Sequence, residues 1–213
     1  AKATDSRWHH RQYCTKHGTF TAKKNKLKPW RVKSWCIPEV TAEFLVKMEH
    51  LLWLYAQPED ALHPLVCFDE KSLQLLKQTR AVLGLKPGKT ACQDHEYKRN
   101  STRNLFVMVA PKRGERTVLV TKRRTKIDFA YAMRYLVDVI YPHAEYIDLV
   151  MDNLNTHHYH SLVEAFGKKE ADRIMERLRF HFTPKHASWL NMAEIELSVL
   201  SGQCLSRRVP DEW

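Results

Sequence analysis

Apolar positions change their spacing several times along the chain, and each change predicts an element. Up to about Ser34 there is little periodicity, and the stretch reads as an irregular basic arm. Further on, Phe44, Met48, Leu51, Leu52 and Tyr55 recur at helical spacing, predicting an amphipathic helix that ends at the Gln57-Pro58 step. Apolar runs at 65–69, 105–110, 117–121, 147–151 and 180–182 then predict five short strands. The second and third flank Pro111 to Arg116, whose Pro and Gly favour a hairpin. Between the third and fourth, Phe129, Met133, Leu136, Val137 and Ile140 share one helical face, with Asp128 as the expected N-cap and Tyr141-Pro142 as the stop. Residues 156–166 and 170–178 read as helices broken near Gly167, and a last helix is expected from about Ser188.

This order predicts an α/β fold, a mixed sheet flanked by helices, whose first and fourth strands are apolar enough to be central neighbours. If those strands run parallel, Asp69 and Asp152 emerge at adjacent C-terminal strand ends, where open α/β sheets place their sites. Glu194 lies on the last helix. Two carboxylates at strand ends and a third on a later helix suit a two-metal, phosphodiester-cleaving site, because hard divalent cations want oxygen ligands from separate elements. Glu194 and Glu196 flank the apolar face formed by Leu190, Ala193, Leu197 and Leu200 at similar angles, so helical geometry does not choose between them.

Charge sharpens the picture. The net charge is +11, and residues 1–33 and 98–126 each hold ten Lys or Arg against one acid. Such segments suit phosphates, with merely solvated basic faces as the alternative. Lys23, Lys24, Lys26, Lys28 and Arg31 in the first, and Arg123, Arg124 and Lys126 in the second, are the candidate DNA contacts. Five cysteines without Cys-x-x-Cys spacing indicate neither a disulfide framework nor a zinc site, and they read as reduced, intracellular residues. No apolar run approaches the length of a membrane span and no signal core follows the basic start, so a soluble, cytoplasmic protein is expected. Asn153 and His157 follow Asp152 closely enough to orient a metal-bound water or touch a scissile phosphate, or simply to cap the next helix. Glu70 should face away from Asp69 by strand alternation. Trp189 is expected in the core, with stacking on a base as the other reading.

Several motifs together resemble one family. They include Lys28-Pro29-Trp30, Trp35-Cys36-Ile37-Pro38, Val66-Cys67-Phe68-Asp69-Glu70-Lys71, Val150-Met151-Asp152-Asn153 and His181-Phe182-Thr183-Pro184-Lys185-His186-Ala187-Ser188-Trp189-Leu190-Asn191. The chain resembles the bacterial insertion-sequence transposases of the mariner superfamily, with their Asp-Asp-Glu catalytic domain on a ribonuclease H-like fold. The resemblance implies that Asp69, Asp152 and Glu194 hold two Mg²⁺ ions, or Mn²⁺ in their place. The Leu190-Asn191-x-x-Glu194 match is what favours Glu194. It further implies cleavage of double-stranded DNA at transposon inverted repeats, strand transfer into a TA target, a homodimer on DNA, and a bacterial, nucleoid-associated setting. Residues 1–37 would be a linker or the tail of a DNA-recognition module, 38–62 a covering helix and 63–213 the catalytic domain. Ala1 in place of an initiating Met, and a last helix close to the end, lead us to expect a fragment, truncated at its C-terminus. A nuclease without strand transfer and a non-catalytic DNA-binding remnant are the competing readings.

Overall fold

The computed structural model describes residues 39–152 and 159–211. Helix α1 (Ala42–Ala56) starts at Thr41, whose hydroxyl accepts from the Phe44 amide at 3.1 Å and so satisfies a donor left free in the first turn. It buries Phe44, Leu51 and Leu54 and leaves Leu52 exposed. Leu52 and Leu54 lie at similar angles on either side of the apolar stripe, so packing rather than periodicity turned Leu54 inward.

Strands β1 (Leu65–Gln78), β2 (Tyr97–Ala110) and β3 (Glu115–Thr121) form an antiparallel meander. Between β2 and β3 the expected hairpin turns through Gly114, whose φ of 67° is a left-handed conformation that glycine adopts without penalty. Strand β4 (Ile147–Met151) is the expected neighbour of β1 and runs parallel to it, and β5 (Leu178–Phe182) pairs with β4 in parallel. The sheet order is β3-β2-β1-β4-β5.

One expectation is corrected here. β1 does not stop at Asp69 but runs on to Gln78, paired with β2 throughout. Past Asp69 its residues are mostly polar, so no apolar run marks it, and the antiparallel partner supplies the hydrogen bonds that keep it extended. Asp69 thus lies inside a strand, just beyond the point where its parallel partner β4 ends.

Helix α2 (Lys126–Tyr135) continues as a π-helical turn, Leu136–Ile140. Its N-cap is Thr125 rather than Asp128. Asp128 sits three residues later and accepts from the Thr125 amide at 2.9 Å, while Thr125 Oγ1 accepts from the Asp128 amide at 3.3 Å, a reciprocal capping box. Helices α3 (Tyr159–Phe166) and α4 (Lys168–Glu176) lie between β4 and β5, and α5 (Met192–Leu200) follows a short 3-10 turn at Ser188–Leu190.

Alternation along the strands divides the core in two. Val66, Phe68, Phe106, Leu149 and Met151 pack on one face against Phe129, Met133, Leu162 and Ile174 of α2, α3 and α4. Cys67, Leu105, Val107, Val109 and Val150 pack on the other against Phe44, Leu51 and Leu54 of α1 and Ala193 and Leu197 of α5. Among the described residues, no helix is long and apolar enough to cross a membrane.

Candidate active site

The parallel register pairs Leu65 with Asp148, Val66 with Leu149 and Cys67 with Val150. Extending it by two residues sets Asp69 level with Asp152. Both share the face of Cys67 and Val150, the side covered by α1 and α5. Glu194 lies in the first turn of α5, above that face. Three carboxylates from separate elements therefore lie near one another beside the C-terminal end of β4.

Their proximity shows in the acidity of Asp69. Burial pushes its carboxyl up to about 6, the Glu70 amide donating at 2.7 Å only partly offsets this, and the negative charges of Glu194, Asp152 and Glu70 add to the rise. Like charges crowded around a half-buried carboxylate are what a divalent cation relieves, and all three donors are hard oxygens. By donor type and charge the set fits such an ion. Among the described residues no group of three or more His, Cys, Asp or Glu side chains is placed to hold a metal ion.

Glu196 points elsewhere. Its carboxylate lies 2.8 Å from the Arg116 guanidinium on β3, whereas Glu194 bears on Asp69. Glu70 turns to the opposite face, as alternation expects, and its buried carboxylate pairs with Arg124 at 3.3 Å. Arg124 and Lys126, both candidate DNA contacts, are thus engaged within the chain, Lys126 with Glu164. Arg123 is exposed. Asn153, His157, Lys23, Lys24, Lys26, Lys28 and Arg31 lie outside the described residues.

Trp189 is 60% exposed, which overturns the expectation that it fills the core; its neighbour Leu190 turns inward instead. A residue the sequence reading did not single out is Asn191. Buried at the start of α5, it accepts from the Ala193 amide at 3.1 Å and donates through its side-chain amide to the Phe68 carbonyl at 2.8 Å. An Asn directly ahead of an apolar helical run is an N-cap signal, which was the available clue.

The model of the DDE superfamily endonuclease family matches residues 64–212. The fold is similar to that of the Mos1 transposase paired-end complex with left transposon end, with a TM-score of 0.55 at 16% identity over 92% of this chain and 59% of that one. It is also similar to the Mos1 strand transfer complex, at 0.56, 16%, 92% and 58%, and to the Mos1 mariner paired end complex with Mn, at 0.53, 16%, 92% and 58%. At such identities the likeness is one of fold, the ribonuclease H-like mixed sheet flanked by helices that the sequence led us to expect. The chain spans less than two thirds of the length of these proteins. No curated protein matches it in sequence.

Proposed function

Since the chain belongs to the DDE superfamily endonucleases, we propose that it is the catalytic core of a DNA transposase, of the bacterial insertion-sequence branch of the mariner superfamily. The observation that carries this reading is the set of Asp69 and Asp152, level on one face of the sheet, beneath the helix that bears Glu194. Asp69, Asp152 and Glu194 are the residues that would hold Mg²⁺ or Mn²⁺. Such ions supply activation of the attacking oxygen and charge stabilisation of the departing one. The chain's own part is positional: β1 fixes Asp69, β4 delivers Asp152, and Asn191 anchors the start of α5 so that Glu194 stays over them. Phosphoryl transfer of this kind needs alignment and neutralised charge, not a covalent protein nucleophile. Cleavage at the transposon end and joining of the freed 3′-hydroxyl to a TA target are the paired reactions, carried out by a dimer that holds both ends. Residues 63–213 form the catalytic domain in this reading, 38–62 its covering helix, and 1–37 a basic linker or the tail of a DNA-recognition module.

The test uses the purified chain with Mg²⁺ or Mn²⁺, a labelled inverted-repeat end, and a precut end with a free 3′-hydroxyl beside a TA-containing plasmid. Metal-dependent cutting and joining, both lost in Asp69→Asn, Asp152→Asn and Glu194→Gln with DNA binding retained, is the expected result. Cutting without joining would reduce the reading to a nuclease, and binding without either reaction to a DNA-binding remnant.

A further inference from the structure

We propose that the cleft beside Asp152 is a binding site for the phosphodiester backbone of a DNA strand, running between α1 and the loop after β5. The inference rests on the DNA-cutting reading and names the surface on which the substrate strand approaches the acids. The cleft has a volume of about 700 Å³ and is lined by Lys47, His50, His181, Lys185, His186 and Asp152. Asp152 is thus one wall of a space whose other ionisable liners are basic. Lys185 and His186 are exposed on a loop held by the Ala187 amide donating to the Pro184 carbonyl at 3.1 Å. Lys47 pairs with Glu43 at 2.7 Å, but both are exposed, and such a pair yields readily to a phosphate.

The two inner histidines are held in a fixed order. Asp148 Oδ1 lies 2.8 Å from His181 Nε2, and a carboxylate can only accept, so that nitrogen carries a proton. In the neutral ring His181 Nδ1 then accepts, from His50 Nε2 at 2.9 Å. His50 is thereby oriented by the chain through its Nε2. Trp53, 58% exposed, stacks on His50 with ring centroids 6.2 Å apart and planes at 20°. Lys47, His50 and Trp53 stand at i, i+3 and i+6 on α1, a cation, an imidazole and an aromatic platform at successive steps of a row that winds about 120° around the helix. Basic groups that track a backbone, interleaved with an exposed aromatic ring, are the combination that binds a strand through phosphates and base stacking.

The experiment is salt-dependent binding of a fluorescein-labelled single strand and its duplex to wild type, the Lys47→Ala/Lys185→Ala double variant and Trp53→Ala, by anisotropy without divalent metal. Each lost phosphate contact should reduce the slope of log K against log salt by about 0.7 for the single strand or about 0.9 for the duplex, so the double variant should lose roughly twice that. Trp53→Ala should weaken single-strand binding about tenfold. Slopes and affinities equal to wild type, in variants that melt like wild type, would overturn the proposal. A wild-type photocrosslink from an iodouracil-bearing strand adds a readout independent of folding. Attachment within 47–53 or 181–188 supports the cleft, and attachment confined to other segments refutes it. Cutting that needs Asp69 and Glu194 while the cleft variants bind normally would sink the cleft alone; cutting indifferent to the three acids would sink the functional reading itself.

Discussion

Asn191 donates to the backbone carbonyl of Phe68 at 2.8 Å, so the residue that caps the Glu194 helix is fastened to the strand position immediately before Asp69. One side chain therefore sets the distance between two of the three acids. Asn191→Ala removes a side-chain donor from the buried Phe68 carbonyl and a helix cap, at a combined cost of about 1–3 kcal/mol. The melting temperature should fall, and cleavage measured well below it should drop at least tenfold. Full activity in a folded variant would show that this tether does not position Glu194.

Glu194 and Glu196 separate by partner. Glu194→Gln should abolish cleavage with stability nearly unchanged, while Glu196→Gln loses only the half-exposed contact to Arg116 and should cost about 1 kcal/mol or less with cleavage intact. Cleavage rates and melting curves of the two variants decide the assignment.

Asp69 makes stability depend on pH in a definite direction. Its carboxyl is raised from 3.8 to about 6 in the fold, so between those values the native state holds more protons than the unfolded chain. Stability then falls as pH rises through that window, and the penalty is complete above it. Asp69→Asn should stabilise the metal-free protein at pH 8, by about 2 kcal/mol or less, and have little effect near pH 3.5. Melting curves across that range test the sign.

Much of this was legible in the sequence, and the gaps have physical causes. Apolar runs marked the strand cores, so β1 and β4 as central neighbours followed from pattern, while their parallel direction, on which the pairing of Asp69 with Asp152 hung, did not. The extension of β1 to Gln78 was hidden because its residues are polar and stay extended only through pairing with β2. Thr125 was missed as a cap because Asp128, the more obvious acid, occupies the reciprocal position of the same capping box. Glu194 and Glu196 could not be told apart from angles alone, since what distinguishes them is contacts, Glu196 with Arg116 and Glu194 with the charge of Asp69. Trp189 illustrates the limit of residue type: a large aromatic in an apolar stretch was expected inside, yet the 3-10 turn at Ser188–Leu190 buries Leu190 instead.

Arg124 and Arg123 should behave differently although both are basic neighbours. Arg124→Ala removes an ion-pair partner of the nearly buried Glu70 carboxylate and should destabilise by about 1–3 kcal/mol, the pair being exposed on its Arg side. Arg123→Ala should leave stability alone and, if it contacts DNA, reduce the duplex salt slope by about 0.9. Thermal melts paired with salt-dependent binding separate the two roles.

The central claim is that Asp69, Asp152 and Glu194 share divalent cations. Its most direct test counts Mn²⁺ bound to the chain in the presence of DNA by electron paramagnetic resonance, for wild type and for Asp69→Asn, Asp152→Asn and Glu194→Gln. The account predicts up to two ions in wild type, with binding lost or sharply weakened in every variant. Equal Mn²⁺ binding by all four proteins would contradict it.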